Sequence, residues 1–268
     1  MKLKAALIQM KVVEGKGNNL GTAERMLKQA ASEGARLLVL PEMFNVPYDN
    51  SFFPEYAEDY PGETTEFLRN MAMELDVYIA GGSIPEREGD RIYNTSYIFS
   101  PQGELIGRHR KAHLFDIDVK GGITFKESDV LSPGNESTIF HVDGVKVGLI
   151  ICYDIRFPEF TRKLTLEGAQ VVLVPAAFNM VTGPAHWHLS ARARALDNQV
   201  YMLMCSQSRN MDSSYTAYGH SLAAGPWGDL ISELETEEGI LQVEIDTDTI
   251  EKVRNQLPLL KHRREELY

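Results

Sequence analysis

Two side chains with chemistry to offer stand where apolar runs end. Cys152 closes Val147-Gly-Leu-Ile-Ile-Cys152 and is followed at once by Tyr153-Asp-Ile-Arg156, while Glu42 follows Leu37-Leu-Val-Leu-Pro41. A cysteine inside such a run reads as a small buried hydrophobe. Cys152 reads either as such a hydrophobe or as a nucleophile, and its place at the exit, ahead of a helix start that supplies backbone N–H groups, favours a depressed pKa and exposure to a ligand. Glu42 reads either as a helix N-terminal or solvated loop carboxylate or, if buried, as a base whose pKa burial has raised. Lys111, in Arg108-His-Arg-Lys-Ala-His-Leu-Phe-Asp116, is either part of a basic turn or, given the apolar residues after it, a partly buried cation.

The elements that position these groups come from an internal repeat. Glu33-Gly-Ala-Arg-Leu-Leu-Val-Leu-Pro-Glu-Met-Phe44 aligns without gaps on Glu167-Gly-Ala-Gln-Val-Val-Leu-Val-Pro-Ala-Ala-Phe178, with five identities in twelve positions and four aliphatic exchanges. Tyr93-Asn-Thr-Ser-Tyr-Ile-Phe-Ser-Pro-Gln-Gly-Glu-Leu-Ile106 aligns on Tyr218-Gly-His-Ser-Leu-Ala-Ala-Gly-Pro-Trp-Gly-Asp-Leu-Ile231 with six identities in fourteen, so each half repeats one layout. That layout begins with an apolar strand (LKAALIQM or VKVGLIIC), a helix (about 19 to 33, or about 157 to 168) and a second apolar strand ending in proline. Another helix (about 64 to 75, or about 185 to 197) leads to a strand (VYIAGGS or VYMLMCS) and a hairpin whose turn carries Pro-x-Gly.

Continuous apolar strands alternating with amphipathic helices predict an α/β fold. Two halves that each cover one sheet face with helices can bury their bare faces against each other. The expected architecture is a helix-sheet-sheet-helix (αββα) sandwich with a pseudo-twofold internal repeat, as a single domain over residues 1–268. The halves differ where chemistry would sit: Glu42 stands opposite Ala176, and Cys152 opposite Met10. Neither is needed for the packing, since the partner position does without it. Ligands of open α/β sheets bind beyond the carboxyl ends of the strands, so a carboxylate and a thiol should face a shared crevice.

Composition narrows the setting. A chain of 268 residues with 43% hydrophobic and 24% charged residues is an ordinary globular sequence with ample core. It opens on a strand-like segment, and no run approaches the length of a membrane span. A soluble, unexported protein is expected, with no membrane partner. Two cysteines in unlike contexts, Cys152 and Cys205, are too few for a disulfide framework and suit a reducing compartment, so the cytoplasm is the expected location. A formal charge of -11 disfavours nucleic acid as a partner despite the runs RHRK (108 to 111) and KHRR (261 to 264).

Leu40-Pro-Glu-Met-Phe44, His109-Arg-Lys-Ala-His-Leu-Phe115 and Gly148-Leu-Ile-Ile-Cys-Tyr-Asp-Ile-Arg-Phe157 together resemble, in order and spacing, the three signatures of the nitrilase or carbon-nitrogen hydrolase superfamily. The resemblance covers essentially the entire chain. It implies the same αββα sandwich and a Glu-Lys-Cys triad carried over to Glu42, Lys111 and Cys152. It also implies a second glutamate near the site, for which Glu127 in Thr124-Phe-Lys-Glu-Ser128 is the match. Such a set is chemically sufficient for amide hydrolysis. The Cys152 thiolate attacks the carbonyl and divides the reaction into acylation and deacylation. Lys111 and the backbone N–H of Tyr153 would stabilise the charge that develops on oxygen. Glu42 takes the thiol proton, passes it to departing ammonia and then activates water, with Glu127 holding Lys111 and orienting the substrate. No metal or organic cofactor enters. His109 and His113, four apart on one helical face, and His186 and His188, on one strand face, have no obvious carboxylate or cysteine to complete a metal site. Cys205, inside VYMLMCS, is expected in the core.

The segments Lys111–Ser128, Asn179–Trp187 and Arg194–Tyr201 resemble the omega-amidase branch of the superfamily. This implies hydrolysis of 2-oxoglutaramate and 2-oxosuccinamate, and at least a homodimer that uses the helix after Cys152 and the C-terminal segment Leu257–Tyr268. A substrate with a free carboxylate needs a fixed cation. Arg156, four residues after the nucleophile, can give it two parallel N–H bonds, unless it pairs with a buried acid instead. Tyr48 and Phe178 are candidate pocket walls. The branch has Pro-Gly-Lys where this chain has Lys120-Gly-Gly122, a departure at the entrance loop that leaves deaminated glutathione or N-carbamoyl amino acids as alternative substrates. A competitor from another class is a binding or scaffold protein on a disused enzyme fold, against which stands the presence of all three triad residues.

Overall fold

Alternation along the first strand sets up the layers. In the computed structural model, which describes residues 1–120 and 123–267, β1 (Lys2–Gln9) turns Leu3, Ala5 and Leu7 into one apolar cluster and Ala6 and Ile8 into another. With a side-chain period of two, one strand can serve an inner face against a second sheet and an outer face against helices. The first half continues with α1 (Lys16–Ser32), β2 (Leu37–Val39), the short α2 (Phe53–Tyr56), α3 (Glu63–Leu75), β3 (Tyr78–Ala80), β4 (Ile84–Glu88), β5 (Arg91–Phe99) and β6 (Leu105–Arg110). A two-stranded ribbon of β7 (Asp116–Asp118) and β8 (Thr124–Lys126) follows. The second half runs β9 (Thr138–Val142), β10 (Val145–Leu149), α4 (Pro158–Leu166), β11 (Val171–Ala176), α5 (Gly183–Asn198), β12 (Tyr201–Ser206), β13 (Leu222–Ala224), β14 (Leu230–Glu233), β15 (Gly239–Asp246) and α6 (Thr247–Gln256).

These strands form a seven-stranded sheet, ordered β15-β1-β2-β3-β5-β4 with β6 on β5, and a six-stranded sheet, β14-β13-β12-β11-β10-β9. Helices α1 and α3 bury Ala23, Leu27, Ala30 and Leu68 on the outer face of the first sheet. Leu164 of α4 and Trp187 and Ala191 of α5 pack on the second. The αββα sandwich is the predicted one, with β1-β2-β3 and β10-β11-β12 parallel in both sheets. Cys205 lies in the core between the sheets, its sulfur 3.3 Å from the Val39 carbonyl and 3.5 Å from that of Ile8.

One feature of the topology has no counterpart in the sequence reading. β9, which follows the first half's hairpin, pairs antiparallel with β10 of the second half. β15, which follows the second half's hairpin, pairs antiparallel with β1 from Lys2↔Asp246 to Gln9↔Gly239. Each half therefore supplies the edge strand of the other's sheet, and the two halves interlock. A strand's own pattern specifies which faces are buried but not which distant strand it borders.

Candidate active site

Three strand exits converge. Leu40-Pro41 carry the chain from β2 to Glu42, Ile150-Ile151 carry it from β10 to Cys152, and Lys111 directly follows β6. Period two explains how the basic run 108–111 divides. Arg108 and Arg110 point outward and pair with Glu86, with Arg110 Nε 2.7 Å from Oε2 and Arg108 Nη1 3.3 Å from Oε1. His109 and Lys111 point inward and are buried. The run is thus a neutralised outer edge and a buried inner one.

Lys111 Nζ donates to Glu42 Oε1 at 2.9 Å and lies 2.9 and 2.8 Å from the two oxygens of Glu127, all three side chains being fully buried. Glu42 Oε1 also accepts from Asn94 Nδ2 at 2.8 Å, while its backbone carbonyl accepts from Gln207 Nε2 at 2.8 Å. Glu42 Oε2 has no hydrogen-bond partner among the described residues, which leaves it available to a proton. Glu127 is fixed in turn by the Phe115 backbone N–H at 2.6 Å and by the Tyr48 hydroxyl, which donates to it. The Cys152 thiol is in contact with Glu42, and the Ala177 backbone N–H is aimed at its sulfur. Ala177 is itself held by the Tyr215 hydroxyl, which donates to its carbonyl at 2.6 Å.

The backbone is shaped to allow this approach. Cys152 (φ +45°) and Met43, next to Glu42 (φ +50°), both occupy the left-handed region that non-glycine residues enter at a cost of about 1–3 kcal/mol. Below the Glu42 turn, Gly82 has φ +55°, and a Cβ there would stand 2.1 Å from the Pro41 carbonyl oxygen. No side chain fits, and Ser83 beside it accepts the Met43 N–H on its hydroxyl at 3.0 Å.

Burial and charge set the resting protonation. Burial pushes the Glu42 carboxyl up, and the facing Glu127 adds to that, against the pull of Lys111. Burial lowers the Lys111 ammonium, but Glu127 and Glu42 outweigh it and hold the group charged. The thiol departs from the sequence expectation. Burial and the Glu42 carboxylate push Cys152 up rather than down, against smaller help from Lys111 and the Ala177 N–H. The segment after it, Cys152–Arg156, is a five-residue 3-10 turn instead of a helix start, and its N–H groups do not offset desolvation of a thiolate at a site only 4% exposed. Cys152 therefore rests as a thiol beside a raised-pKa carboxylate, an arrangement suited to proton transfer when an electrophile arrives.

Asp154 does not stand out in the sequence. This fully buried carboxylate accepts from the backbone N–H groups of Ile151 at 3.0 Å and His113 at 2.8 Å. It lies 2.7 Å from His113 Nδ1 and 3.4 Å from His109 Nε2. His109 and His113 flank Lys111, and Asp154 is two residues beyond Cys152, so one carboxylate ties the lysine segment to the Cys152 turn. The two histidines do not share a helical face: one is in β6, the other is at its exit, and both converge on Asp154. Burial alone would raise Asp154, but hydrogen bonds from His109 and His113 bring it down to about 2. A depressed carboxyl contributes stability that is complete above its unfolded pKa of about 3.9 and is lost as pH falls through the folded value. For Asp154→Asn, whose amide N–H₂ would face existing donors, we expect a loss of about 3 kcal/mol. We also expect kcat to fall about tenfold or more with KM little changed, since 1.4 kcal/mol of lost transition-state alignment suffices. Thermal melts and steady-state kinetics on the one variant check both, and wild-type kcat would show that the tie is purely structural.

The other predicted residues are placed as follows. Tyr48 is buried against Tyr215, Phe53 and Phe125, and its hydroxyl joins the Glu127–Lys111 cluster instead of merely walling a pocket. Tyr153 packs edge-on against Phe115 and Phe157. The Arg156 guanidinium lies over the Phe178 ring at 4.7 Å and nearer its own turn over Tyr153 at 5.7 Å. Its Nη1 meets His186 Nδ1 at 2.9 Å, and it makes no ion pair with a carboxylate among the described residues. His186 and His188 belong to α5, not to a strand; His188 meets Glu233 and His220. The departure at Lys120-Gly-Gly122 falls on Gly121 and Gly122, outside the described residues. Asn94 was also missed, although it stands opposite Gly219 in the repeat, the same kind of difference that singles out Glu42 and Cys152.

Comparison with known proteins supplies the context for this geometry. A family model described as "Carbon-nitrogen hydrolase" matches residues 4–255. The chain is 48% identical to omega-amidase NIT2-A of Xenopus laevis over 100% of its own length and 97% of that protein. It is 45% identical to omega-amidase NIT2 of Homo sapiens over 99% and 96%. The crystal structure of Saccharomyces cerevisiae Nit3, described as a member of branch 10 of the nitrilase superfamily, superposes with a TM-score of 0.90 at 43% identity, covering 98% of this chain and 97% of that one.

Proposed function

This chain belongs to the carbon-nitrogen hydrolase family, and on that premise we propose that it is a cysteine-dependent amidase. Its substrates on this reading are short 2-oxo dicarboxylate monoamides, 2-oxoglutaramate and 2-oxosuccinamate, hydrolysed to the 2-oxo acid and ammonia. The observation that carries the proposal is the buried Glu42–Lys111–Glu127 cluster set against the Cys152 thiol. A buried carboxylate pair held by one ammonium is expensive to maintain, and amide hydrolysis gives it a use. The omega-amidase relatives support the choice among amides.

On this reading Glu42 removes the Cys152 proton as sulfur attacks the amide carbon. Lys111 and a backbone N–H at the Cys152 turn then stabilise the oxyanion. Glu42 returns the proton to the leaving nitrogen, ammonia departs, and a thioester remains on Cys152. Water deprotonated by Glu42 cleaves the thioester, releasing the acid and restoring the thiol. Glu127 keeps Lys111 charged and aimed throughout.

Arg156 is the candidate anchor for the distal carboxylate, supported by its lack of a carboxylate partner among the described residues and its stacking on Phe178. Removing a charge-assisted bond worth about 1.5–3 kcal/mol should raise KM of Arg156→Met about 10- to 150-fold with kcat much less affected. Steady-state kinetics on 2-oxoglutaramate test this; unchanged KM would remove Arg156 from the substrate site. The amide itself is tested by an ammonia-release panel comparing 2-oxoglutaramate and 2-oxosuccinamate with deaminated glutathione and N-carbamoyl amino acids. A preference for either of the latter would replace the substrate assignment while keeping the reaction class. No ammonia from any of them, with no acyl adduct by intact-protein mass spectrometry, would favour the scaffold reading. A homodimer in the cytoplasm remains part of the proposal, with exposed Leu166 of α4 and Leu257 near the C-terminal end as apolar side chains on the elements named for pairing.

A further inference from the structure

We propose that His188, His220 and Glu233 form a binding site for a divalent transition-metal ion of the zinc class, sharing no residue with the cysteine site. The three come from separate elements: α5, the loop before β13 and the last residue of β14. Their donor atoms all lie within 4.8 Å of one another, and no other group of three such residues does so among the described residues. His188 Nε2 is 2.7 Å and His220 Nδ1 2.9 Å from the same oxygen, Oε1 of Glu233. Two imidazoles and one carboxylate are the protein ligands of an open zinc site, and tetrahedral bonds of 2.0–2.1 Å need donors about 3.3 Å apart. The two imidazole–carboxylate separations, 2.7 and 2.9 Å, have to open by roughly half an ångström to reach that spacing. Side-chain exposures of 34%, 21% and 25% leave an approach for the ion and room for water at a fourth position.

Two observations argue that the cluster is built, not incidental. His220 has φ +59°, in the left-handed region that a residue other than glycine rarely occupies. That backbone is clamped by Trp187 Nε1, which donates to its carbonyl at 2.6 Å, and by its own N–H, which donates to the Glu235 carbonyl at 3.0 Å. The imidazole is thereby aimed from a fixed backbone, with the Tyr218 ring packed on it at 4.4 Å. The internal repeat supplies the second observation. Thr95 stands opposite His220, and continuing the same alignment puts Arg108 opposite Glu233. The first half thus builds the same hairpin without either ligand, so packing does not require them. The acidic run that continues through Glu235, Glu237 and Glu238 adds a field that favours a cation.

Without the ion, each imidazole can donate its N–H to Glu233. With it, each proton moves to the other ring nitrogen and the freed lone pair turns to the metal, with no net change in charge on the histidines. Bound metal would join α5 to the β13–β14 hairpin at the end of the loop that begins at Gln207, the residue that holds the Glu42 carbonyl.

The test uses the full-length chain, stripped with chelator, in the wild-type and Cys152→Ala backgrounds, the latter so that the thiol cannot ligate. Co²⁺ is titrated by its visible absorption and Zn²⁺ by calorimetry. A single equivalent should bind in Cys152→Ala with a four-coordinate Co²⁺ spectrum. Adding Glu233→Gln or His188→Gln should weaken binding about 100-fold or more, since losing even an outer-shell partner costs 10–100-fold. The idea is sunk if Cys152→Ala binds no stoichiometric ion at micromolar concentration. Undiminished affinity in either variant that keeps its circular dichroism spectrum sinks it equally.

Discussion

Cys152→Ala will lose ammonia release by a factor on the order of 10⁴ to 10⁶ while keeping its fold and its melting temperature within a few degrees. Both halves of that expectation follow from the resting state of the thiol. Burial and Glu42 keep Cys152 protonated, so the substitution removes no buried charge and leaves the Glu42–Lys111–Glu127 cluster intact. What disappears is the atom that would form the proposed thioester. Alanine must still hold φ +45°, as cysteine does, so no new backbone strain arises. Coupled ammonia assays and thermal melts check the pair of outcomes. Residual turnover within tenfold of wild type would transfer the nucleophile to another group and dismantle the mechanism. Glu42→Gln is the informative companion. A glutamine cannot take the thiol proton or activate water, so both half-reactions slow, by about 10² to 10⁴.

Lys111→Met should harm the protein in a different way, costing stability as well as rate. It leaves Glu42 and Glu127, both fully buried, facing each other without the cation that bridges them. Breaking a buried ion pair from one side typically costs about 3–5 kcal/mol, and an oxyanion donor is worth about 10² to 10³ in rate. The pH dependence identifies the cause. A carboxyl whose folded pKa lies above its unfolded value loses stability as pH rises through the folded value, and Glu42 is already raised by burial and Glu127. Removing the opposing lysine raises it further. The melting-temperature gap between variant and wild type should therefore narrow toward about pH 5 and widen toward about pH 8. A gap independent of pH would mean that lost packing, not unpaired charge, is responsible. Glu127→Gln combined with Lys111→Met should recover part of the stability but none of the rate.

The layers of this fold were legible because they rest on local periodicity. Apolar runs of strand length, amphipathic helical stretches and Pro-x-Gly turns each report through neighbouring residues, and their repetition exposed two halves with one layout. The same repeat drew attention to Glu42 and Cys152, since a side chain absent from the partner half is not a packing requirement. Applied to every position, it would also have found Asn94 and His220.

Other features depended on contacts between distant parts of the chain. The pairing of β15 with β1 joins residues more than 200 positions apart, such as Lys2 and Asp246, and nothing in either strand names its neighbour. Asp154 reads as one letter of a motif until the fold brings His113 to within 2.7 Å of it. His188 looked like half of a pair with His186, two residues away, until a helix turned it toward Glu233 instead. The direction of the Cys152 shift was another expectation that failed. A strand exit before a turn suggests donors for a thiolate, but burial and the nearby Glu42 carboxylate prevail, and both are set by what the rest of the chain places around the sulfur. Residue type and spacing therefore established which groups could react. Desolvation and long-range pairing, which depend on how many distant atoms surround each group, set their protonation and their partners.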